Sequence, residues 1–101
     1  AVYNFYDGYA IVMLRHKYNF IDTHGKLISD TWFDDVDNFD YGYAKVKLND
    51  KWNFINQNGK CISDTWFDKI EYFSNGYAYV LLSNKWYVID TNGKLYDEEP
   101  E

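Results

Sequence analysis

Two histidines, sixteen carboxylates and one cysteine are the side chains with which this chain could do covalent or acid–base chemistry. His16 and His24 would need a partner constellation to act as bases or metal ligands. Neither recurs when the sequence is laid over itself. Asp50 and Asn84 stand where His16 does, and Asn58 and Asn92 stand where His24 does. Asp22-Thr23-His24-Gly25 and Asp90-Thr91-Asn92-Gly93 hint at a calcium loop, but Asn56 fills the matching place in between. The alternating oxygen ligands and closing Glu of such a loop are missing, so both segments read as Asx turns. Asp30, Asp34, Asp64 and Asp68 flank Trp32-Phe33 and Trp66-Phe67. Paired carboxylates are what glycoside hydrolysis needs, yet acids duplicated along with a repeat read as turn or rim residues. Cys61 stands where other copies carry Leu27 and Leu95, which predicts a small apolar filler. A lone cysteine cannot staple the domain. No phosphate loop, nucleophile elbow or cysteine–histidine pair occurs. These residues predict no catalytic site, no metal site and no cofactor.

Binding chemistry is the class left. Trp32 and Trp66 could be platforms on which sugar rings stack. They could also fill the joint between neighbouring copies, and residues kept across copies favour that second reading. Positions that differ between copies speak more directly to partners. One face of the first strand of each copy carries Ile11 and Met13, then Lys45 and Lys47, then Tyr79 and Leu81. If this face looks outward, the middle copy shows water a charged strip and the outer copies show apolar ones. Exposed apolar clusters mark contacts, so Ile11, Met13, Tyr79 and Leu81 are candidates to meet a ligand or neighbouring domain.

The elements that must position these residues come from a repeat. A shift of 34 residues aligns Gly8-Tyr9-Ala10 with Gly42-Tyr43-Ala44 and Gly76-Tyr77-Ala78. Ser29-Asp30-Thr31-Trp32-Phe33-Asp34 recurs unchanged as Ser63-Asp64-Thr65-Trp66-Phe67-Asp68, and 21 of the first 34 positions are identical one period later. This predicts a single domain, 1–101, of three units at about 1–34, 35–68 and 69–101. In the middle unit, Tyr43 to Leu48 alternates with a period of two, Asn49-Asp50 makes a turn, and Lys51 to Asn56 forms a second strand. Asn58-Gly59 predicts a tight turn with positive φ at both centres. Cys61-Ile62 and Trp66 to Ile70 read as shorter extended pieces. Ala in each Gly-Tyr-Ala predicts a close approach. After Leu95 the pattern stops, and the acidic tail 96–101 predicts either a cap without a strand or a disordered terminus.

These residues resemble the bacterial WG-repeat family. The matching stretches are Gly42-Tyr43-Ala44-Lys45-Val46, Lys51-Trp52-Asn53-Phe54-Ile55-Asn56, Gly59-Lys60, Phe67-Asp68-Lys69-Ile70 and Phe73-Ser74-Asn75-Gly76. The Trp-Gly dipeptide that names the family is Tyr18-Asn19, Trp52-Asn53 and Trp86-Tyr87 here. The resemblance implies a tandem β-rich module and no particular activity. Part of the chain, Gly76 to Val80 with Lys85 to Asp90, is also similar to choline- or glucan-binding hairpin repeats, whose units are shorter.

Composition bounds the remainder. Aromatic residues make up 22% of the chain, with eleven Tyr, seven Phe and four Trp. Rings with an apolar face and a polar tip suit thin layers in which few side chains are buried all round. The net charge of -6 disfavours nucleic acid and anionic membrane surfaces. No run of about 18 apolar residues exists to insert into a bilayer. A chain opening at Ala1 without an apolar leader reads as an excerpt or processed product. The sequence thus predicts an all-β fold of three hairpin-based units stacked in an open, solenoid-like array, with a closed three-fold β-trefoil-like arrangement as the alternative. The expected function is non-catalytic. It is a protein-interaction or scaffold module whose partner is a protein or neighbouring repeats, with cell-wall or other glycan as the alternative ligand. The aromatic, acidic composition points weakly to a bacterial cell surface.

Overall fold

The computed structural model describes residues 1–98, and all regular structure in them is β. The first sheet is the hairpin β1 (Ala10–Leu14) and β2 (Lys17–Ile21). The second joins β3 (Asp35–Val36), β4 (Ala44–Leu48) and β5 (Lys51–Ile55). The third joins β6 (Lys69–Ile70), β7 (Tyr77–Leu82), β8 (Lys85–Asp90) and β9 (Leu95–Tyr96). All pairings are antiparallel between strands adjacent in sequence, and no sheet closes into a barrel. The closed three-fold alternative is therefore not what forms.

Three turns recur at matching places. The two-residue turns Arg15-His16, Asn49-Asp50 and Ser83-Asn84 close the main hairpins, with φ between 52° and 66° at every centre. Positive φ at both centres gives a twist that matches the strands, although only Asn and Asp among these residues accept it readily. Asp7-Gly8, Tyr41-Gly42 and Asn75-Gly76 form a second set of the same kind, each bracketed by two backbone hydrogen bonds, as between Ser74 and Tyr77. The Asn58-Gly59 turn departs from expectation. Only Gly59 is left-handed there, at 77°. The Gly59 N–H donates to the Asn56 carbonyl and the Asn56 N–H to that of Lys60. A three-residue turn ending in a glycine bulge results, and the two-residue turn lies at Asn49-Asp50 instead.

Registers place the side chains. Residues directly opposite in an antiparallel pair project from the same face. Ala44 faces Ile55 and Val46 faces Asn53 on one side of the second sheet, while Lys45 faces Phe54 and Lys47 faces Trp52 on the other. Each core lies between two sheets. Phe20, Phe33, Phe39, Ala44, Val46 and Ile55 form the joint between the first and second. Phe54, Phe67, Ile70, Phe73, Ala78, Val80 and Ile89 form that between the second and third. Neither core holds residues of both the first and the third hairpin. The molecule is accordingly elongated, 40 × 26 × 18 Å.

The chain beyond Leu95 differs from expectation by one strand. Tyr96 pairs with Val88, and Leu95 with Ile89, so the tail starts as an edge strand rather than as an unpaired cap. Residues 99–101 of the acidic tail lie outside the described residues.

Candidate functional site

Each joint is built around one phenylalanine. Phe39, carried between β3 and β4, enters a notch formed by Tyr9 and Phe20 of the first sheet, with ring centroids 4.4 and 4.8 Å away. Phe73, 34 residues later, enters the notch of Tyr43 and Phe54 at 5.0 and 4.5 Å. Tilted and edge-on contacts at this separation suit the ring quadrupoles. The small residues Ala10, Ala44 and Ala78 are all buried, as close approach requires. Gly59 and Gly93 bring the sheets closer still. A Cβ on either would lie 1.9 Å from the carbonyl oxygen of Ile28 or Ile62 in the preceding unit.

Polar groups lock the same joints. Asn19 and Asn53 are fully buried. The Asn53 amide donates to the Ser63 carbonyl at 2.9 Å and its Oδ1 accepts from the Phe54 N–H at 2.8 Å, and Asn19 does the same with Ser29 and Phe20. Asp34 pairs with Lys17 and accepts from the Asn49 N–H at 2.8 Å, so one carboxylate ties the first unit to the second. Asp68 repeats this with Lys51 and the Ser83 N–H. The lysine, then the backbone amide, holds each carboxyl below the usual range. Tyr72 reaches back across the second joint. Its hydroxyl donates to Asp37, and its ring receives the Lys45 ammonium 4.4 Å from the centroid.

The residues singled out by sequence scatter around this frame. Trp66 packs, partly buried, against the first joint core, as does Ile11. Trp32, Met13 and Leu81 are half-buried. Tyr79 is 45% exposed. Lys45 and Lys47 form no open charged strip: both are half-buried, with the Lys45 ammonium also 5.4 Å from the Trp52 ring. His16 occupies its turn in an exposed, left-handed position. Asp22 and Asp90 accept the Asx-turn hydrogen bonds from residues two and four further on. Cys61 corrects the expectation of a filler. It is exposed, as Leu27 is, because its strand position lies at the margin of the sheet. Partial burial and then the nearby Asp64 charge push its thiol pKa up. Among the described residues no three His, Cys, Asp or Glu side chains gather where they could hold a metal ion, and no helix is long and apolar enough to cross a membrane.

On the third sheet, sequence had singled out Tyr79 and Leu81 but not their neighbours Tyr77 and Trp86. Tyr79 faces Val88 and Leu81 faces Trp86, so these four share a face with Tyr77. In the first two units the matching face is covered by the next sheet. Here Tyr77, Tyr79 and Trp86 are 38%, 45% and 44% exposed. A cleft of about 260 Å³ opens among Tyr72, Asn75, Tyr77, Tyr79 and Val88. Tyr77 matches the notch residue Tyr43, and only the stacking shows that it stays exposed, while Val88, the match of Phe54, is buried beside Tyr96.

The sequence model of the WG containing repeat matches twice, over residues 20–52 and 54–86. Each match runs from the second strand of one hairpin to that of the next, and so takes in nearly all of one joint core. Compared with curated proteins and with solved structures, the chain has no match. With two tandem matches over most of its length, the chain belongs to the family of the WG containing repeat.

Proposed function

We propose that the chain is a non-catalytic interaction module: an open, solenoid-like stack of three hairpin units that binds protein through its terminal sheet face. The observation that carries this reading is the exposure of Tyr77, Tyr79 and Trp86 together on one face of β7 and β8. Clustered Tyr and Trp supply large contact area at little conformational cost, which is why they dominate protein-binding hot spots. Of the four carboxylates that might have done chemistry, Asp30, Asp34, Asp64 and Asp68, two, Asp34 and Asp68, are engaged with lysines and backbone amides at the joints.

A second reading rests on the cleft beside Tyr72, Tyr77 and Tyr79, whose volume of about 260 Å³ suits a sugar ring stacked on an aromatic face. One experiment separates the two. A photo-crosslinking residue replaces Tyr79, and tryptophan fluorescence is followed during titration with a panel of soluble glycans. Protein adducts at position 79, without quenching by any glycan, support the protein-binding reading. Saturable quenching by a glycan, without adducts, moves the function to carbohydrate.

A further inference from the structure

Tyr41, in the middle unit, holds a strained backbone position and is hardly buried. Its φ is 50°, where the matching turns carry Asp7 and Asn75 at 55° and 53°. Asp and Asn accept left-handed backbone through their short polar side chains, and a bulky ring does so poorly. Packing would offset that strain, yet Tyr41 is 81% exposed. Strain that the fold does not use points to function.

Beside this ring, a cleft of about 350 Å³ opens on the flank of the second joint. It lies between Tyr41 and Tyr43 of the second unit and Phe73, Ser74, Asn75 and Thr91 of the third. The room for it is set inside the hairpins. Continuing the strand registers puts Gln57 opposite Gly42, Thr91 opposite Gly76 and Thr23 opposite Gly8. A Cβ on Gly42 would meet the Gln57 side chain at 4.0 Å, and beyond its chain neighbours nothing else comes so near. Nothing lies within 4 Å of one on Gly76 or Gly8. The short threonine thus leaves open what the glutamine covers. At the first joint the counterparts of Tyr41 and Thr91 are Asp7 and Gln57, so that joint lacks both the ring and the room.

The lining selects a ligand. Its polar groups are the hydroxyls of Tyr41, Tyr43, Ser74 and Thr91 and the amide of Asn75, all neutral, so a charged ligand finds no counter-charge. Tyr43 and Phe73 are stacked on each other, with centroids 5.0 Å apart, which leaves Tyr41 as the free ring. A proline-rich peptide would need a row of aromatic ridges, and one exposed ring is not a row. A single ring with hydroxyls and an amide around it fits a sugar, whose flat C–H face stacks on the ring while its hydroxyls exchange hydrogen bonds with the rim. The volume falls in the range of small-ligand sites, about 300–1,000 Å³.

We infer that this cleft binds one unit of a neutral glycan, with Tyr41 as the stacking platform and Thr91 as the residue that keeps the cleft open. The site lies apart from the face of Tyr79 and Trp86, so it goes beyond the protein-binding reading and stands or falls separately from it.

The test follows amide chemical shifts of the isotope-labelled 101-residue chain during titration with neutral hexasaccharides of glucose and of N-acetylglucosamine. At least one should shift the amides of Gly42, Asn75, Gly76 and Thr91 saturably. Tyr41→Asn installs the residue that Asn75 provides in the next turn. It should weaken binding at least about tenfold, as loss of an aromatic anchor does, while its urea midpoint equals or exceeds that of wild type. Thr91→Gln, which copies Gln57, should weaken binding with the fold intact, and Tyr79→Ala should leave it unchanged. The inference is overturned if no hexasaccharide shifts these amides, or if Tyr41→Asn binds as wild type or lowers the midpoint. Full binding by Thr91→Gln, or loss with Tyr79→Ala, would overturn it too, the latter by placing the sugar in the cleft beside Tyr77. Protein adducts at position 79 are read independently of all these outcomes.

Discussion

Asn53 does at one residue what the family's usual glycine cannot. Fully buried, it gives its amide to the Ser63 carbonyl and takes the Phe54 N–H. An alanine there strands the buried Phe54 N–H and the half-buried Ser63 carbonyl, at about 1–3 kcal/mol each. Asn53→Ala is expected to lose roughly 2–4 kcal/mol in urea unfolding. The sequence displayed Asn19 and Asn53 as departures from a dipeptide, without showing that they strap strand to loop, because hydrogen bonds between residues ten apart leave no periodic trace. Asp34 and Asp68 were likewise visible only as duplicated acids. With their carboxyls held below the usual range, their ion pairs stabilise the fold above an ordinary aspartate value of about 4. That contribution is lost as pH falls through the lowered folded values. Thermal melts from pH 7 downward should show Asp34→Asn and Asp68→Asn below wild type at neutral pH and converging on it in acid. A constant gap would assign these residues a role independent of their charge.

At the scale of the strand and turn, pattern served better. Alternation placed β4 within one residue of its observed start, and Lys51 to Asn56 covers β5 with one residue to spare. Such strands were legible because a period of two decides which side chains face a core. The turns were less so. Asn-Gly is the strongest short hairpin signal, yet Asn58-Gly59 closes a bulged turn while Arg15-His16 adopts the tight one; strand register there overrides local preference. What Gly59 requires is set by its neighbour. Both Gly25 and Gly59 have φ of 77°, but only the second faces a carbonyl. Gly25→Ala should cost about 1 kcal/mol, the left-handed penalty alone. Gly59→Ala must also push the Ile28 backbone away and should cost at least twice as much, measured by chemical denaturation of the pair. Equal losses would mean that the joint yields without resistance.

Across the whole molecule, sequence alone established the repeat and the all-β class but left open versus closed undecided, because that choice depends on how sheets meet. Sheets meeting face to face, each joint shared by sequence neighbours, make stability a sum over joints. Excising residues 35–68 should therefore leave a folded protein in which Phe73 enters the notch of Tyr9 and Phe20, less stable by one joint but cooperative in its melt. Excising residues 35–51, half a period, should leave no cooperative transition. The phenylalanine that bridges each pair of units also has a bearing on descent. Since Phe39 and Phe73 enter notches of the same make, a tyrosine and a phenylalanine, unequal crossing-over in the gene could remove or add a whole period there without inventing a new contact, and copy number becomes a trait that lineages can vary.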